Sequence, residues 1–156
     1  QHAPNGHVLH ALALCLNEAG RADEALETAK AGIPLCLQRG QVVLAADIFA
    51  AHWKQASKLG LTPEQIDAVA GALLKKGDLT KAVAAYGLAL TMDPTDRKAV
   101  KGLMQAADQR LHKDGRPKDA ARIYTFLLQY AANSPFADDM KNGLAEAEAR
   151  IARTGT

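Results

Sequence analysis

Three glycines set the frame of this chain. Gly20, Gly77 and Gly115 are each followed at five residues by an alanine, Ala25, Ala82 and Ala120. Each is preceded at four residues by a leucine (Leu16, Leu73, Leu111) and at eleven by Leu9, Ile66 or Met104. Nine residues beyond each glycine stand Ala29, Tyr86 and Tyr124, and thirteen beyond stand Ile33, Leu90 and Leu128. This is one helix–turn–helix written three times. A hairpin of about 34 residues cannot bury both of its faces alone, so copies must stack.

The rest of the sequence agrees with helices throughout. Apolar residues make up 48% of the chain, largely Ala and Leu, and aromatics only 4%. Ala and Leu are the best helix formers, and β-branched residues are sparse, which points to an all-α fold. Breaks fall at 19–21, 39–41, 59–65, 76–78, 93–96, 114–117 and 133–135, where Gly suits the position just past a helix and Pro the first turn of the next. Thr62-Pro63-Glu64-Gln65 reads as a capping box, and Ser134 before Pro135 as a second helix start. About eight helices are expected, at 7–19, 22–38, 41–59, 63–76, 79–92, 95–114, 117–132 and 136–153. Connections of two to four residues make successive helices antiparallel.

The spacing also departs from a uniform repeat. The glycines are 57 and then 38 residues apart, so the helix at 41–59 is additional to the hairpins at 7–38, 63–94 and 95–132. Pro34 lies inside the second helix and should kink or end it, because its ring clashes with the preceding turn. Asp108 stands where the other copies have Ala13 and Ala70, so either the last copy diverges or its register slips.

"GDLTKAVAAYGLALTMDP", Gly77 to Pro94, closely resembles the second half of a tetratricopeptide repeat, with "GRADEALETAKAGI" and "GRPKDAARIYTFLL" as weaker relatives. The small Ala82 lets the second helix approach the first, Tyr86 fills the space beyond it, and Ala89 keeps the next contact tight. The resemblance covers most of the chain. It implies a single domain over 1–156, a right-handed array of antiparallel helix hairpins (an α-solenoid), closed by a capping helix at 136–153. Phe136, Met140, Leu144, Ala147 and Ile151 form one apolar stripe on that last helix, as a cap needs, or alternatively a dimer contact.

Few residues offer chemistry. Cys15 and Cys36 would lie about 15 Å apart along the hairpin, at ~1.5 Å per residue, too far for a disulfide. Both read as small buried hydrophobes of a reducing, cytoplasmic setting. His7 and His10, with His2 nearby, are too few for a zinc site and read as partly exposed histidines, so no metal is expected. "GALLKKG" lacks the ending that grips phosphate, and neither a nucleophile elbow nor a paired acid and base stands out. No enzyme and no cofactor are expected. Phe49 and Trp53, four apart, should form one ridge, either packed in the core or offered as a partner's anchor. The longest nearly apolar run, Val42 to Ala51, spans ten residues against about 20 for a bilayer, so no direct membrane insertion is expected. The chain begins without Met or a signal-peptide pattern, which reads as an excised domain.

Charge is uneven. Between Arg97 and Arg122 eight basic residues face three acidic ones, although the net charge of the chain is only +2. This reads as a solvated helix face or a docking patch centred on Arg97, Lys98 and Lys101; nucleic acid is not expected, since few aromatics interleave the charges.

The leading expectation is a non-catalytic scaffold that binds a protein or peptide. By the resemblance, the first helix of each hairpin lines a concave groove. His7, His10, Leu14 and Asn17 would come from the first, Glu64, Asp67, Gly71 and Leu74 from the second, and Gln105, Gln109 and His112 from the third. The Lys/Asn clamp by which some family members hold a C-terminal carboxylate is not reproduced, since His10, Leu14, Asp67 and Gln105 occupy those faces. The alternative is an oligomerisation or regulatory appendage of a larger bacterial-type protein, such as a membrane-anchored one, acting as a homodimer.

Overall fold

Helix ends are fixed by local chemistry. In the computed structural model, which describes residues 5–18 and 20–155 with Asn17 and Glu18 as backbone alone, Asn5 Oδ1 accepts from Val8 N at 2.9 Å and starts α1, Gly6–Glu18. α2 spans Ala22–Gln38 and α3 Val42–Ala51. At α4, Pro63–Lys76, the capping box is present: Thr62 Oγ1 accepts from Gln65 N at 3.2 Å, and Thr62 N donates to Gln65 Oε1 at 3.0 Å. Gly77 then ends α4 in the left-handed region at φ +87°, a conformation that costs glycine nothing. α5 is Leu79–Met92, α6 Arg97–His112, α7 Pro117–Tyr130 and α8 Ala137–Thr154. Asp96 caps α6, its Oδ1 accepting from the amides of Lys98 and Ala99 at 3.1 Å each.

The described residues therefore form an all-α fold, with successive helices packed in neighbouring pairs. They form two compact units, Gln1–Leu88 and Ala89–Thr156, and the division falls within α5. In the first unit α1 packs on α2 and touches α3, α2 packs on α3, and α3 on α4. Its core holds Ala25, Ala29, Ile33, Ala45, Phe49, Ile66, Ala70, Leu73 and Ala82, each at most 1% exposed. In the second unit α7 packs between α6 and α8, which also touch each other. Ala89, Leu90, Leu103, Ala106, Ala107, Ala120, Leu127, Met140 and Ala147 are fully buried there. Alanines at the helix seams let backbones approach closely, and the larger side chains fill what remains.

Four expectations are corrected. The stretch 41–59 is two elements: α3 stops at Ala51, and Trp53–Leu59 is a tighter 3-10 helix broken at Gln55 (φ −113°). Its three-residue turn sets Ala56 and Leu59 one above the other, 9% and 1% exposed. Phe49 is buried, Trp53 is half-buried, and the two no longer share one helical ridge. Of the two outcomes expected at Pro34, a kink or an end, the end is not seen: α2 runs on to Gln38 without the amide that Pro34 lacks. Ser134 does not cap α8: its Oγ accepts from Phe136 N at 3.2 Å, within the loop before the helix. Cys15 is exposed, whereas Cys36 is buried; both are free.

The Asp108 puzzle resolves as a slip of one residue. Asp108 is exposed, and Ala107, 0% exposed, takes the buried place that Ala13 and Ala70 hold. Leu103 is likewise buried in place of Met104, which is half-buried. Leu111, 1% exposed, keeps the place of Leu73, so the slip is taken up within α6 between Ala107 and Leu111.

Candidate functional site

In the first unit the proposed groove residues fall on α1 and α4. His10 is half-buried and Leu14 is 42% exposed on α1; the Asn17 side chain lies outside the described residues. Asp67 on α4 is buried at 8% exposure and Leu74 is half-buried. α3 packs against both α1 and α4. Lys76 Nζ reaches Asp47 Oδ1 at 2.8 Å, tying α4 to α3. His52 is 8% exposed beside a cavity of about 360 Å³ that Trp53 and Lys54 also line. Burial, and then the nearby His10, push the His52 imidazole below its ordinary value.

The second unit is better organised. On α6, Arg97, Lys101, Gln105, Asp108 and His112 recur at three or four residues and share one face. All five are exposed, and Gln109 beside them is half-buried. At the far end of this face α8 supplies a clasp. Arg150 Nη1 donates to Leu111 O at 2.9 Å, and Nη2 donates to Glu146 Oε1 at 2.8 Å and lies 3.1 Å from His112 Nδ1. A guanidinium can only donate, so Nδ1 accepts and a neutral His112 carries its proton on Nε2. That nitrogen lies 3.4 Å from Asp108 Oδ1 and 3.7 Å from Glu146 Oε2. The Tyr124 phenol is pushed up by burial and then by the charges of Asp108 and Glu146. His112 is thus a structural member of the α6–α8 seam as much as a surface residue.

Ion pairs divide the basic stretch. Arg110 pairs with Asp114 at 3.1 Å, and Arg116 and Arg122 reach Asp119 at 2.7 and 3.8 Å. Arg97, Lys98 and Lys101 are exposed and, among the described residues, in no ion pair. Arg97 and Lys98 occupy the first turn of α6, where the helix dipole disfavours positive charge. Helix stability does not explain them. Beside Arg97 is a cavity of about 360 Å³ with Pro94, Val100, Tyr130 and Pro135 in its walls.

Among the described residues no group of three or more His, Cys, Asp and Glu could hold a metal ion, and no helix is long and apolar enough to cross a membrane. No family model, curated protein or solved structure matches the chain.

The sequence reading named Arg97, Lys101, Gln105, Gln109 and His112 but missed Glu146, Arg150 and Tyr130. Glu146 and Arg150, four apart, carried a signal as an i,i+4 pair. Their tie to His112 spans 38 residues and had none.

Proposed function

We propose that the chain is a tetratricopeptide-like, non-catalytic scaffold that binds an extended protein segment along the exposed faces of alternate helices. One observation carries this reading: α6 and α8, the helices on either side of α7, touch each other and are clasped by Arg150, leaving Gln105 and Gln109 open beside the seam. Neutral amides on a rigid helix pair can each donate and accept, as an extended backbone requires. The test is selection from a random-peptide display library against the purified chain. Enriched peptides should bind the wild type and lose about tenfold in affinity (~1.4 kcal/mol) on Gln105→Ala/Gln109→Ala. No enrichment, or peptides indifferent to the double substitution, would overturn it.

A second reading, self-association, is favoured by α1 rather than by α8. Val8 and Leu12 are 54% and 46% exposed and form an outward stripe with Ala11 and Cys15, whereas the exposed residues of α8 include Asp138, Asp139, Lys141, Glu146 and Glu148. Light scattering should then show a dimer that dissociates on Val8→Glu/Leu12→Glu; a monomer at all concentrations excludes it.

A further inference from the structure

We propose that the cavity at the start of α6 is an anchor pocket for an acidic peptide segment. An apolar side chain would enter between Val100 and Tyr130, and a neighbouring carboxylate would meet Arg97. The proposal rests on the scaffold reading and deepens it by naming the partner's chemistry and its point of attachment.

Four observations converge. The volume, about 360 Å³, lies at the small end of ligand sites and suits one or two side chains rather than a cofactor. The walls are largely apolar, with Pro94, Val100, Ala131 and Pro135, and Tyr130 stands 38% exposed, its ring 4.6 Å from that of Phe126. A large apolar ring left open beside a cavity is the kind of group that anchors a partner.

At this end of α6 the cations Arg97, Lys98 and Lys101, none of them in an ion pair among the described residues, outnumber the carboxylates Asp93 and Asp96. Arg97 lines it, and Lys101, one turn on, lies over the Phe136 ring at 5.9 Å, next to the lining Pro135. The nearby carboxylates accept from neutral donors and keep their charge, and Asp96 Oδ2 has no hydrogen-bond partner. Asp93 accepts from the amide and hydroxyl of Thr95 at 3.0 and 2.6 Å, which holds its carboxyl below the usual range. Asp96 caps the helix. That cap also separates two classes of anion. A phosphate at a helix start needs free amides, and Asp96 has taken those of Lys98 and Ala99. A single carboxylate on an apolar segment needs only the Arg97 guanidinium, which binds it in a two-pronged fashion. Ser134 adds a donor, since its oxygen accepts from Phe136 N and its own proton remains free to give.

The pocket also opens onto the face proposed to bind peptide. Arg97 and Lys101 begin the same α6 stripe that continues through Gln105 to His112, so a segment anchored here can run along it.

The test is fluorescence anisotropy with labelled peptides in which one Leu or Phe is flanked by glutamates, by glutamines or by lysines. Glutamate-flanked peptides should bind tightest, and raising the salt should weaken them. Arg97→Gln should weaken these peptides about tenfold while leaving glutamine-flanked ones unchanged, a loss typical of removing one partner of a charged pair. Tyr130→Ala should weaken both, and circular dichroism should show both variants folded. Equal binding of all three peptide types, no binding by any, or indifference to Arg97→Gln and Tyr130→Ala overturns the pocket. If binding instead depends on Gln105 and Gln109 alone, the pocket fails and the scaffold reading stands. If the random-peptide selection also enriches nothing, both fail.

Discussion

The ring of Tyr124 on α7 occupies the space that a side chain at Gly143 of α8 would need. A Cβ built on Gly143 would lie 2.3 Å from Tyr124 Cζ and 2.6 and 2.7 Å from the flanking ring carbons. Tyr124 is 5% exposed, so its rigid ring has little room to swing aside. Glycine inside a helix costs about 1 kcal/mol relative to alanine, and this contact is the reason it is kept. Gly143→Ala should therefore destabilise the chain by about 1–2 kcal/mol, because overpacking outweighs the gain in helix propensity. Urea denaturation measures it, and a more stable variant would show that the α7–α8 seam is looser than described.

What was legible in the sequence was local. Gly77, the Thr62–Gln65 box and the Ala82–Tyr86 spacing act within a turn or two, and the helices they bound fall where the sequence puts them. The break at His52 was not legible, because no Gly or Pro marks it. The basic residues at the start of α6 could be read, but which cations stay unpaired depends on where Asp114 falls in the turn after α6 and where Asp119 falls on α7. The Arg150 clasp depends on α8 returning to α6, a tertiary event that no short window contains.

Tyr86 and Ala82 test the seam of α5 from both directions. Tyr86 is 6% exposed, and its hydroxyl lies 3.5 Å from the point where a Cβ on Gly71 would sit. Tyr86→Ala should cost about 3–5 kcal/mol through the lost ring and the cavity it leaves. Ala82 is fully buried, so Ala82→Leu should cost about 1–3 kcal/mol by overpacking. Unchanged melting temperatures would mean that neither residue is where the repeat spacing places it.

His52 should make stability depend on pH. Burial and His10 hold its folded-state value below the ordinary 6.5. The unfolded chain therefore binds the proton first as pH falls, and stability is lost from about pH 6.5 downward to the folded value. The contribution is fully present above that window. Thermal melts of the wild type and His52→Gln across about pH 5 to 7.5 should diverge in slope, the variant being flatter. Parallel curves would place the imidazole in water in both states.

The two thiols should report on how tightly α1 is held. Cys15 faces out from α1, whereas Cys36 is fully buried, and burial pushes its thiol up, only partly offset by Arg39. A thiol reacts as thiolate, so both exposure and ionisation favour Cys15. Ellman's reagent at neutral pH should modify one thiol of the folded chain rapidly and the second only as the structure opens. The opening that matters is at Gly6, where a Cβ would lie 2.2 Å from Cys36 Sγ. Gly6→Val should force the start of α1 away from α2 and raise the reactivity of Cys36 without changing that of Cys15. If both thiols of the wild type react at one rate, α1 does not cover Cys36. If Gly6→Val leaves the slow thiol slow, the close approach of Gly6 to Cys36 is not what protects it.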